Sequence, residues 1–134
     1  MAGYSGTPLI KKLGIKAGHR VAFVNAPDAY DATLGVLPDG VECLSLRDGE
    51  LDFVQAFYTE RDKLEDDFAA LKAAIAKDGM LWISWAKKAS KIPTNLDENI
   101  VREIGLAQSL VDVKVAAVDN IWSGLKFVYR TADR

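Results

Sequence analysis

Strand-like and helix-like segments alternate between residues 51 and 120, and this alternation constrains the fold more than any other feature of the sequence. Runs rich in apolar, β-branched and aromatic residues at 51–58, 80–86 and 114–121 predict strands. The segments at about 60–77 and 93–108 repeat apolar residues every three or four positions, which is typical of amphipathic helices. Since a parallel strand pair needs a crossover, and a helix is the usual one, this order predicts an α/β fold with a mostly parallel sheet and helices on both faces.

The segment MLWISWA at 80–86 is predicted to be the central strand, because its apolar residues occupy both faces. Leu81, Ile83 and Trp85 point one way, whereas Trp82 and Ser84 point the other. For the two helices we expect a capping box at TERD and an N-cap at Thr94 or Asn95. Gly79 is expected to end the first of them. Deep burial is predicted for Leu81, Ile83, Phe23, Phe53, Leu71 and Ile104.

The remaining segments are shorter. A helix over about 8–13 is predicted with Thr7 as its N-cap, followed by a strand at 20–26 and a short helix or turn at 27–35. The last two strands, KVAAVDNI and LKFVYR, are joined by so short a connection that only an antiparallel pair is allowed. Two alternatives remain open for residues 41–46: a brief edge segment or an antiparallel hairpin. The RDGE connection that follows them is too short to return the chain to a parallel neighbour.

Length and composition indicate one ordinary domain spanning residues 1–134. The net charge of −2 comes from largely interspersed charges, so we expect neither a nucleic-acid partner nor a membrane partner. Cys43 and His19 are the only residues of their types, which are too few for a soft-metal site, and no metal is predicted. There is no signal-peptide pattern and no long apolar run, so a soluble cytoplasmic protein is expected.

Three blocks of the sequence carry a resemblance to known proteins: LWISWAKKAS, TNLDENIVREIGLAQSLVDVKVAAVD and WSGLKFV. They resemble a family of short bacterial proteins classed as a domain of unknown function. The order of elements from residue 51 onward also resembles the later half of a class I methyltransferase-like Rossmann fold with its closing antiparallel strand. The resemblance covers about residues 4–130. It implies a single Rossmann-like three-layer domain and no established activity.

Two departures from the methyltransferase pattern bear on the cofactor. A nucleotide-binding Rossmann unit needs glycines after its first strand and usually has an acid at the end of its second. The first turn reads NAPDAY, without glycine, and Asp48 is the only candidate acid and comes two residues late. We therefore predict no cofactor and do not expect S-adenosylmethionine in the usual mode.

Ligands of open α/β sheets bind beyond the carboxyl ends of the strands, so the residues that follow each strand are the candidates. The LWISW strand runs into a loop with three lysines beside the start of the next helix, a setting that suits an anionic group. The alternative is an ordinary solvated loop. The candidate ligand-binding residues are Asn25, Asp28, Tyr30, Trp85, Lys87, Lys88, Asp119 and Trp122.

Several of these candidates also have a structural interpretation. Asp28 and Asp119 form an acid–base pair only if the fold brings them together, and we favour a helix cap and a turn instead. Trp85 and Trp122 either wall a flat ligand or, as we favour, close the core. Cys43 is expected to be a small buried hydrophobe. His19 precedes the first strand, and no catalytic residues are predicted.

Three functions remain, in order of preference. The first is a non-catalytic module that binds a small anionic or nucleotide-like ligand. The second is an interaction protein that acts as a homodimer or through a partner. The third is a reduced methyltransferase-like enzyme, which rests on element order alone.

Overall fold

The computed structural model describes residues 8–134, so the predicted N-cap at Thr7 lies outside the described residues. Its helices are α1 (Leu9–Leu13), α2 (Tyr30–Leu34), α3 (Arg61–Ala74) and α4 (Glu98–Ala107). Its strands are β1 (Arg20–Val24), β2 (Glu42–Cys43), β3 (Leu51–Tyr58), β4 (Ile75–Ala86), β5 (Leu110–Ala117) and β6 (Trp122–Tyr129). Short 3₁₀ turns lie at Leu46–Asp48, Lys88–Ser90 and Thr131–Asp133.

The strands form a single sheet in the order β2-β1-β3-β4-β6-β5. β2, β1, β3 and β4 pair in parallel, and β6 lies antiparallel between β4 and β5. The crossover from β3 to β4 runs through α3, and α4 connects β4 to β5. The predicted α/β class, the mostly parallel sheet and the antiparallel strand at the C-terminus are confirmed.

Alternation along β4 divides the core into two layers. Leu81, Ile83 and Trp85 pack with α3 and α4, whereas Trp82 packs with α1 and α2 on the opposite face. The indole Nε1–H of Trp82 donates a hydrogen bond of 2.9 Å to the carbonyl of Leu13, which ties α1 to the sheet. Helices therefore cover both faces, as predicted.

Burial agrees with the prediction at five of six positions. Leu81, Ile83, Phe53 and Leu71 are fully buried, and Ile104 is 5% exposed. Phe23 is only half-buried, and the prediction for it is wrong. Beside Phe23, β2 is too short and α2 too small to cover the flank of β1.

The short β2 resolves the alternatives for residues 41–46. It is a brief edge segment that pairs in parallel with Arg20 and Val21, at the beginning of β1. The chain then returns through the turn at 46–48 to β3, which lies on the other side of β1. Cys43 is exposed at this edge, so the prediction that it is buried is wrong.

α3 is shorter and β4 longer than predicted. The helix ends at Ala74, the strand begins at Ile75, and Gly79 lies within the strand rather than at the end of the helix. The register between β3 and β4 shifts between Leu51 and Phe53. A Cβ atom on Gly79 would lie 2.6 Å from the carbonyl oxygen of Leu51, so glycine is needed for this close approach.

Both predicted helix caps are wrong. α3 has Glu60 at its N-cap position without a side-chain capping bond, and α4 is capped by Asp97, whose Oδ1 accepts a 2.9 Å hydrogen bond from the Ile100 N–H. Thr94 and Asn95 precede α4 and bind the start of α3 instead. Local sequence did not reveal this exchange, because the cap of α3 comes from a residue distant in sequence.

Candidate functional site

The carboxyl ends of β1, β3 and β4 lie at one edge of the sheet, which we call the carboxyl edge. β6 begins at this edge, since Trp122 pairs with Ala86 at the end of β4. From β1 the chain goes to β2 on one side and then to β3 on the other, so the direction of winding reverses between β1 and β3. In open α/β sheets such a reversal point is where ligands bind.

A cleft of about 300 Å³ opens at this point, and we call it the β1–β3 cleft. Its lining residues are Asn25, Phe57, Tyr58, Thr59, Glu60, Lys63 and Trp122. The three aromatic members are buried, whereas the carboxamide, the carboxylate and the ammonium lie on exposed residues at the rim. The volume is at the lower end of the range of about 300–1,000 Å³ that is typical of small-molecule sites. The cleft thus combines aromatic walls with charges of both signs.

Asn25 has an unusual backbone conformation at the rim of the cleft. Its φ of 56° and that of Ala29, 60°, are in the left-handed region, which non-glycine residues seldom occupy. The Asn25 Nδ2 donates a hydrogen bond of 3.2 Å to the carbonyl of Phe57 at the end of β3. The loop after β1 therefore adopts, without glycine, backbone conformations that glycine usually provides.

Four aromatic rings form a row beneath the carboxyl edge. The ring centroids of Phe23 and Tyr30 are 6.0 Å apart, those of Tyr30 and Phe57 4.8 Å, and those of Phe57 and Trp122 5.2 Å. All three pairs are edge-to-face, the arrangement that the aromatic quadrupole favours. Phe57 and Trp122 are the members of this row that line the β1–β3 cleft, and they form its aromatic floor.

A buried polar chain holds Tyr30 in this row. The Tyr30 hydroxyl donates to Gln55 Oε1 at 2.6 Å, and Gln55 Nε2 donates to Ser84 Oγ at 3.1 Å. Gln55 and Ser84 are fully buried, and both have hydrogen-bond partners. Burial raises the pKa of Tyr30 far above its usual value, and the nearby Asp119 carboxylate raises it further, so Tyr30 is a neutral donor.

Tyr58 forms a second pair on the other face of β3. Its hydroxyl donates a hydrogen bond of 2.7 Å to Asp67 Oδ2 on α3. Burial is the main cause that raises the pKa of Tyr58, and the hydrogen bond to Asp67 adds to it. The pair places a phenol that keeps its proton beside a carboxylate at the wall of the cleft.

Lys87, Asp119 and Trp122, three of the predicted site residues, meet in one turn at the carboxyl edge. The Asp119 Oδ1 accepts hydrogen bonds of 2.8 Å from the N–H groups of Ile121 and Trp122. Lys87 Nζ donates to the Asp119 carbonyl at 2.7 Å. Asp119 therefore holds the β5–β6 turn, and the Lys87 ammonium is engaged within the protein.

The other predicted residues lie apart from the cleft. Trp85 is 6% exposed and packs in the core with α3 and α4, and Lys88 is exposed on the following turn. Asp28 does not cap α2, whose N-cap position is Ala29 without a side-chain hydrogen bond. Of the eight predicted residues, Asn25 and Trp122 line the β1–β3 cleft.

Asp48, the candidate ribose acid, lies at the opposite edge of the sheet. Its carboxylate accepts hydrogen bonds of 2.8 and 3.1 Å from the backbone N–H and the hydroxyl of Ser45. These bonds are the main cause that lowers its pKa, and Arg20 at the start of β1 contributes to the same shift. Because β2 ends at the level of Val21, no acid at its end reaches the carboxyl edge.

The segment before α4 fixes the rim of the cleft. Thr94 Oγ1 donates to the carbonyl of Thr59 at 2.6 Å, and Asn95 Oδ1 accepts from the Arg61 N–H at 2.7 Å. The two contacts anchor the start of α3, which carries Glu60 and Lys63.

Sequence reasoning missed Phe57, Glu60 and Lys63 as residues of the cleft. Phe57 resembled any other apolar residue of a buried strand. Glu60 and Lys63 border the first turn of the helix after β3, and the rule that loops at carboxyl ends carry ligand sites would have identified them.

Within residues 8–134, no group of three or more His, Cys, Asp or Glu side chains is placed to hold a metal ion. None of the helices in this range is long and apolar enough to span a bilayer.

Comparison with solved structures identifies the fold. The complex of DhpI with SAH has a TM-score of 0.63 at 13% identity, covering 92% of this chain and 83% of DhpI. A type 11 methyltransferase from Sulfolobus solfataricus, itself described as putative, has a TM-score of 0.62 at 16% identity, with coverages of 96% and 92%. A SAM-dependent methyltransferase from Aquifex aeolicus has a TM-score of 0.60 at 16% identity, with coverages of 89% and 86%. No family model matches the sequence, and no curated protein does.

These comparisons contradict two predictions from the sequence. The preference for a non-catalytic module that binds an anionic ligand is wrong, because the solved structures that share this fold include methyltransferases, and this favours the third hypothesis, a reduced methyltransferase-like enzyme. The expectation against S-adenosylmethionine is wrong as well, because one of these structures is a complex with SAH and another is SAM-dependent. The absence of glycine does not exclude such a cofactor, since Asn25 and Ala29 adopt the left-handed backbone conformation without it. The fold is a methyltransferase-like Rossmann fold in a single α/β domain.

Proposed function

We propose that this protein is a reduced methyltransferase-like enzyme that binds S-adenosylmethionine in the β1–β3 cleft. The observation that carries the proposal is the position of the cleft, at the reversal point of a sheet whose architecture is that of methyltransferases. In a Rossmann-like sheet this is where a nucleotide-containing ligand sits.

The chemical groups of the cleft fit this cofactor. Its methionine part carries a carboxylate and an ammonium, for which Lys63 and Glu60 supply the opposite charges. The buried rings of Phe57 and Trp122 suit a sulfonium, since aromatic faces attract cations, and they also suit a flat base. The fit is therefore carried by the rim charges and the aromatic floor.

One usual element has no counterpart. Asp48 lies at the opposite edge, so the ribose hydroxyls find no acceptor at the end of β2. The Thr59 hydroxyl and the backbone groups at Asn25 are polar groups of the cleft that remain for them. The missing acid makes the site simpler than the usual one and predicts weak binding of the cofactor.

When bound, S-adenosylmethionine supplies a methyl group activated by the positive sulfonium. The residues of this chain orient the cofactor and the molecule that accepts its methyl group, and they exclude water from between them. Phe57 and Trp122 keep the inner wall dry, while Asn25 fixes the rim by its bond to the Phe57 carbonyl. Tyr58 lines the cleft as a neutral phenol, because burial and the hydrogen bond that its hydroxyl donates to Asp67 both raise its pKa.

Calorimetric titration with S-adenosylmethionine tests the proposal. We expect binding by the parent protein and a loss of at least about tenfold in affinity for Lys63→Ala, which corresponds to about 1.4 kcal/mol. Lys88→Ala is the matched control, because this lysine is exposed at the same edge and does not line the cleft. No binding at millimolar cofactor, or an equal loss in both variants, would refute the proposal.

Asn25→Gly separates the side chain from the backbone in the same assay. Glycine keeps the left-handed conformation and removes only the amide that binds the Phe57 carbonyl. We expect weaker binding with an unchanged fold by circular dichroism. An affinity of the variant for S-adenosylmethionine equal to that of the parent would mean that the Asn25 side chain is not part of the site.

Two finer points belong to the same proposal. The resemblance of LWISWAKKAS, TNLDENIVREIGLAQSLVDVKVAAVD and WSGLKFV to a family of short bacterial proteins supports a bacterial origin. We also propose a cytoplasmic location, which the single cysteine supports, since proteins of oxidising compartments are the ones that commonly carry disulfides.

A further inference from the structure

A second pocket, of about 450 Å³, lies beside β1 on the face that α1 and α2 cover, and we call it the α2 pocket. Phe23, Pro27, Leu34 and Leu37 belong to its apolar lining. It is separate from the β1–β3 cleft, which has a different set of lining residues. An apolar concavity of this size is suited to a small organic molecule.

The architecture explains why this pocket exists. β2 pairs only with Arg20 and Val21, so the second half of β1 has no neighbour on that side. α2 has five residues, too few to cover the gap, and Phe23 is left half-buried. Val36, just beyond α2, is 93% exposed. The apolar surface here is therefore larger than the surrounding elements can cover.

The charges of the α2 pocket have one sign. Its charged lining residues are Asp28 and Asp31, both exposed at the rim, and no lysine or arginine is among the lining residues. Asp31 Oδ1 accepts a hydrogen bond of 3.0 Å from the Ala32 N–H. Asp28 does not cap α2, and its carboxylate is exposed at the rim. An apolar wall with an acidic rim complements a ligand that is apolar at one end and positive at the other.

We propose that the α2 pocket binds a small amphipathic amine, with its apolar body against Phe23, Leu34 and Leu37 and its ammonium group at Asp28 and Asp31. The ammonium is attracted by both carboxylates, while the rest of the ligand covers the half-buried ring of Phe23. A carboxylate ligand of the same shape would be repelled by the rim. The proposal does not depend on methyl transfer in the other cleft.

Cys43 provides a reporter for this site. It is the only cysteine of the chain, it is exposed, and it lines the α2 pocket. Its rate of reaction with a disulfide reagent such as DTNB therefore falls when the pocket is occupied. Three probes of similar shape differ in charge: 2-phenylethylamine, 2-phenylethanol and 3-phenylpropionate. At neutral pH we expect the amine to slow labelling by about threefold once two-thirds of the pocket is filled. The alcohol should need a higher concentration, and the carboxylate should have no effect.

Variants separate charge from shape. Asp28→Asn combined with Asp31→Asn should abolish the preference for the amine over the alcohol, measured as the ratio of labelling rates with and without probe. Asp39→Asn is the matched control, an exposed acid outside the pocket. If the double variant does not fold, Asp28→Asn alone serves. Protection by 3-phenylpropionate equal to that by the amine would overturn the proposal, as would protection by none of the probes or an undiminished preference in the variants.

Discussion

Asn95 caps α3 from outside that helix, its Oδ1 accepting a 2.7 Å hydrogen bond from the backbone N–H of Arg61. The chain between them includes all of α3 and β4. The contact joins the loop after β4 to the loop after β3 at the carboxyl edge. The same contact therefore fixes the rim of the β1–β3 cleft, where Glu60 and Lys63 lie.

We predict that Asn95→Ala lowers the free energy of unfolding by about 1 kcal/mol, the usual cost of losing an N-cap. Urea denaturation measures the change. Asn120→Ala is the control, an exposed asparagine in the β5–β6 turn, and it should change stability by less than about 0.5 kcal/mol. Equal effects would mean that Asn95 is not a cap. Cofactor affinity should fall with the cap as well, since Lys63 is in the anchored turn.

The second prediction concerns the central strand. Ile83 is fully buried in the layer under α3 and α4, so Ile83→Ala should cost about 2–5 kcal/mol by lost transfer energy and a cavity. Val36→Ala, at a position that is 93% exposed, should change stability by less than about 0.5 kcal/mol. A loss below about 1 kcal/mol for Ile83→Ala would mean that the strand is peripheral.

The third prediction concerns the buried polar chain. Tyr30→Phe leaves Gln55 Oε1 without its donor in a fully buried place, which should cost about 1–3 kcal/mol. Tyr129→Phe is the matched control, because its hydroxyl donates to a partly buried backbone carbonyl, that of Lys72, and it should cost less. A double-mutant cycle with Gln55→Leu should show that the two losses are not additive. Additive losses would show that the Tyr30 hydroxyl and Gln55 act independently.

The fourth prediction is a dependence of stability on alkaline pH. Burial raises the pKa values of Tyr30 and Tyr58, so the folded protein keeps protons that the unfolded chain releases near pH 10. The two protonated tyrosines therefore make their full contribution to the free energy of unfolding below about pH 10. As the pH rises further this contribution is lost, by up to about 1.4 kcal/mol per pH unit for each tyrosine. Urea midpoints between about pH 9 and 11 should fall less steeply for Tyr58→Phe than for the parent. Equal slopes of urea midpoint against pH for the parent and the variant would mean that the Tyr58 phenol is in contact with water.

The sequence predicted those parts of the fold that depend on local pattern. Alternation along β4 identified the two faces occupied by Leu81 and Trp82, because each strand residue points to the side opposite its neighbour. The class of the sheet followed from the order of strands and helices. Both features are properties of contiguous residues.

Tertiary pairing decided what the sequence did not reveal. Nothing near Arg61 indicates that Asn95 caps it, and nothing near Phe23 shows that β2 stops too early to cover it. The charged rim of the cleft was missed for a different reason, because Glu60 and Lys63 fall within the segment predicted as a helix, although they border the carboxyl end of a strand. Asn25 was identified because it directly follows a strand, which is a local signal.

The last prediction concerns Gly105, in the middle of α4 and packed against the ring of Phe127 on β6. In an exposed helix, replacing glycine with alanine gains up to about 1 kcal/mol. Here a Cβ atom would collide with three carbon atoms of the ring. The ring cannot withdraw, since Phe127 is fully buried and packs edge-to-face on Phe68 at 5.9 Å.

Gly105→Ala should therefore destabilise the protein by about 1–3 kcal/mol, the cost of overpacking, despite its higher helix propensity. Urea denaturation shows whether the free energy of unfolding rises or falls. The control is Glu103→Ala, at an exposed position of the same helix. Combining Gly105→Ala with Phe127→Leu should recover part of the loss, because the smaller side chain leaves room for the Cβ, so the two changes should be less than additive. If Gly105→Ala stabilises the protein, α4 lies farther from β6 than the structure places it, and the layer beneath the α4 side of the sheet is looser than its buried phenylalanines indicate.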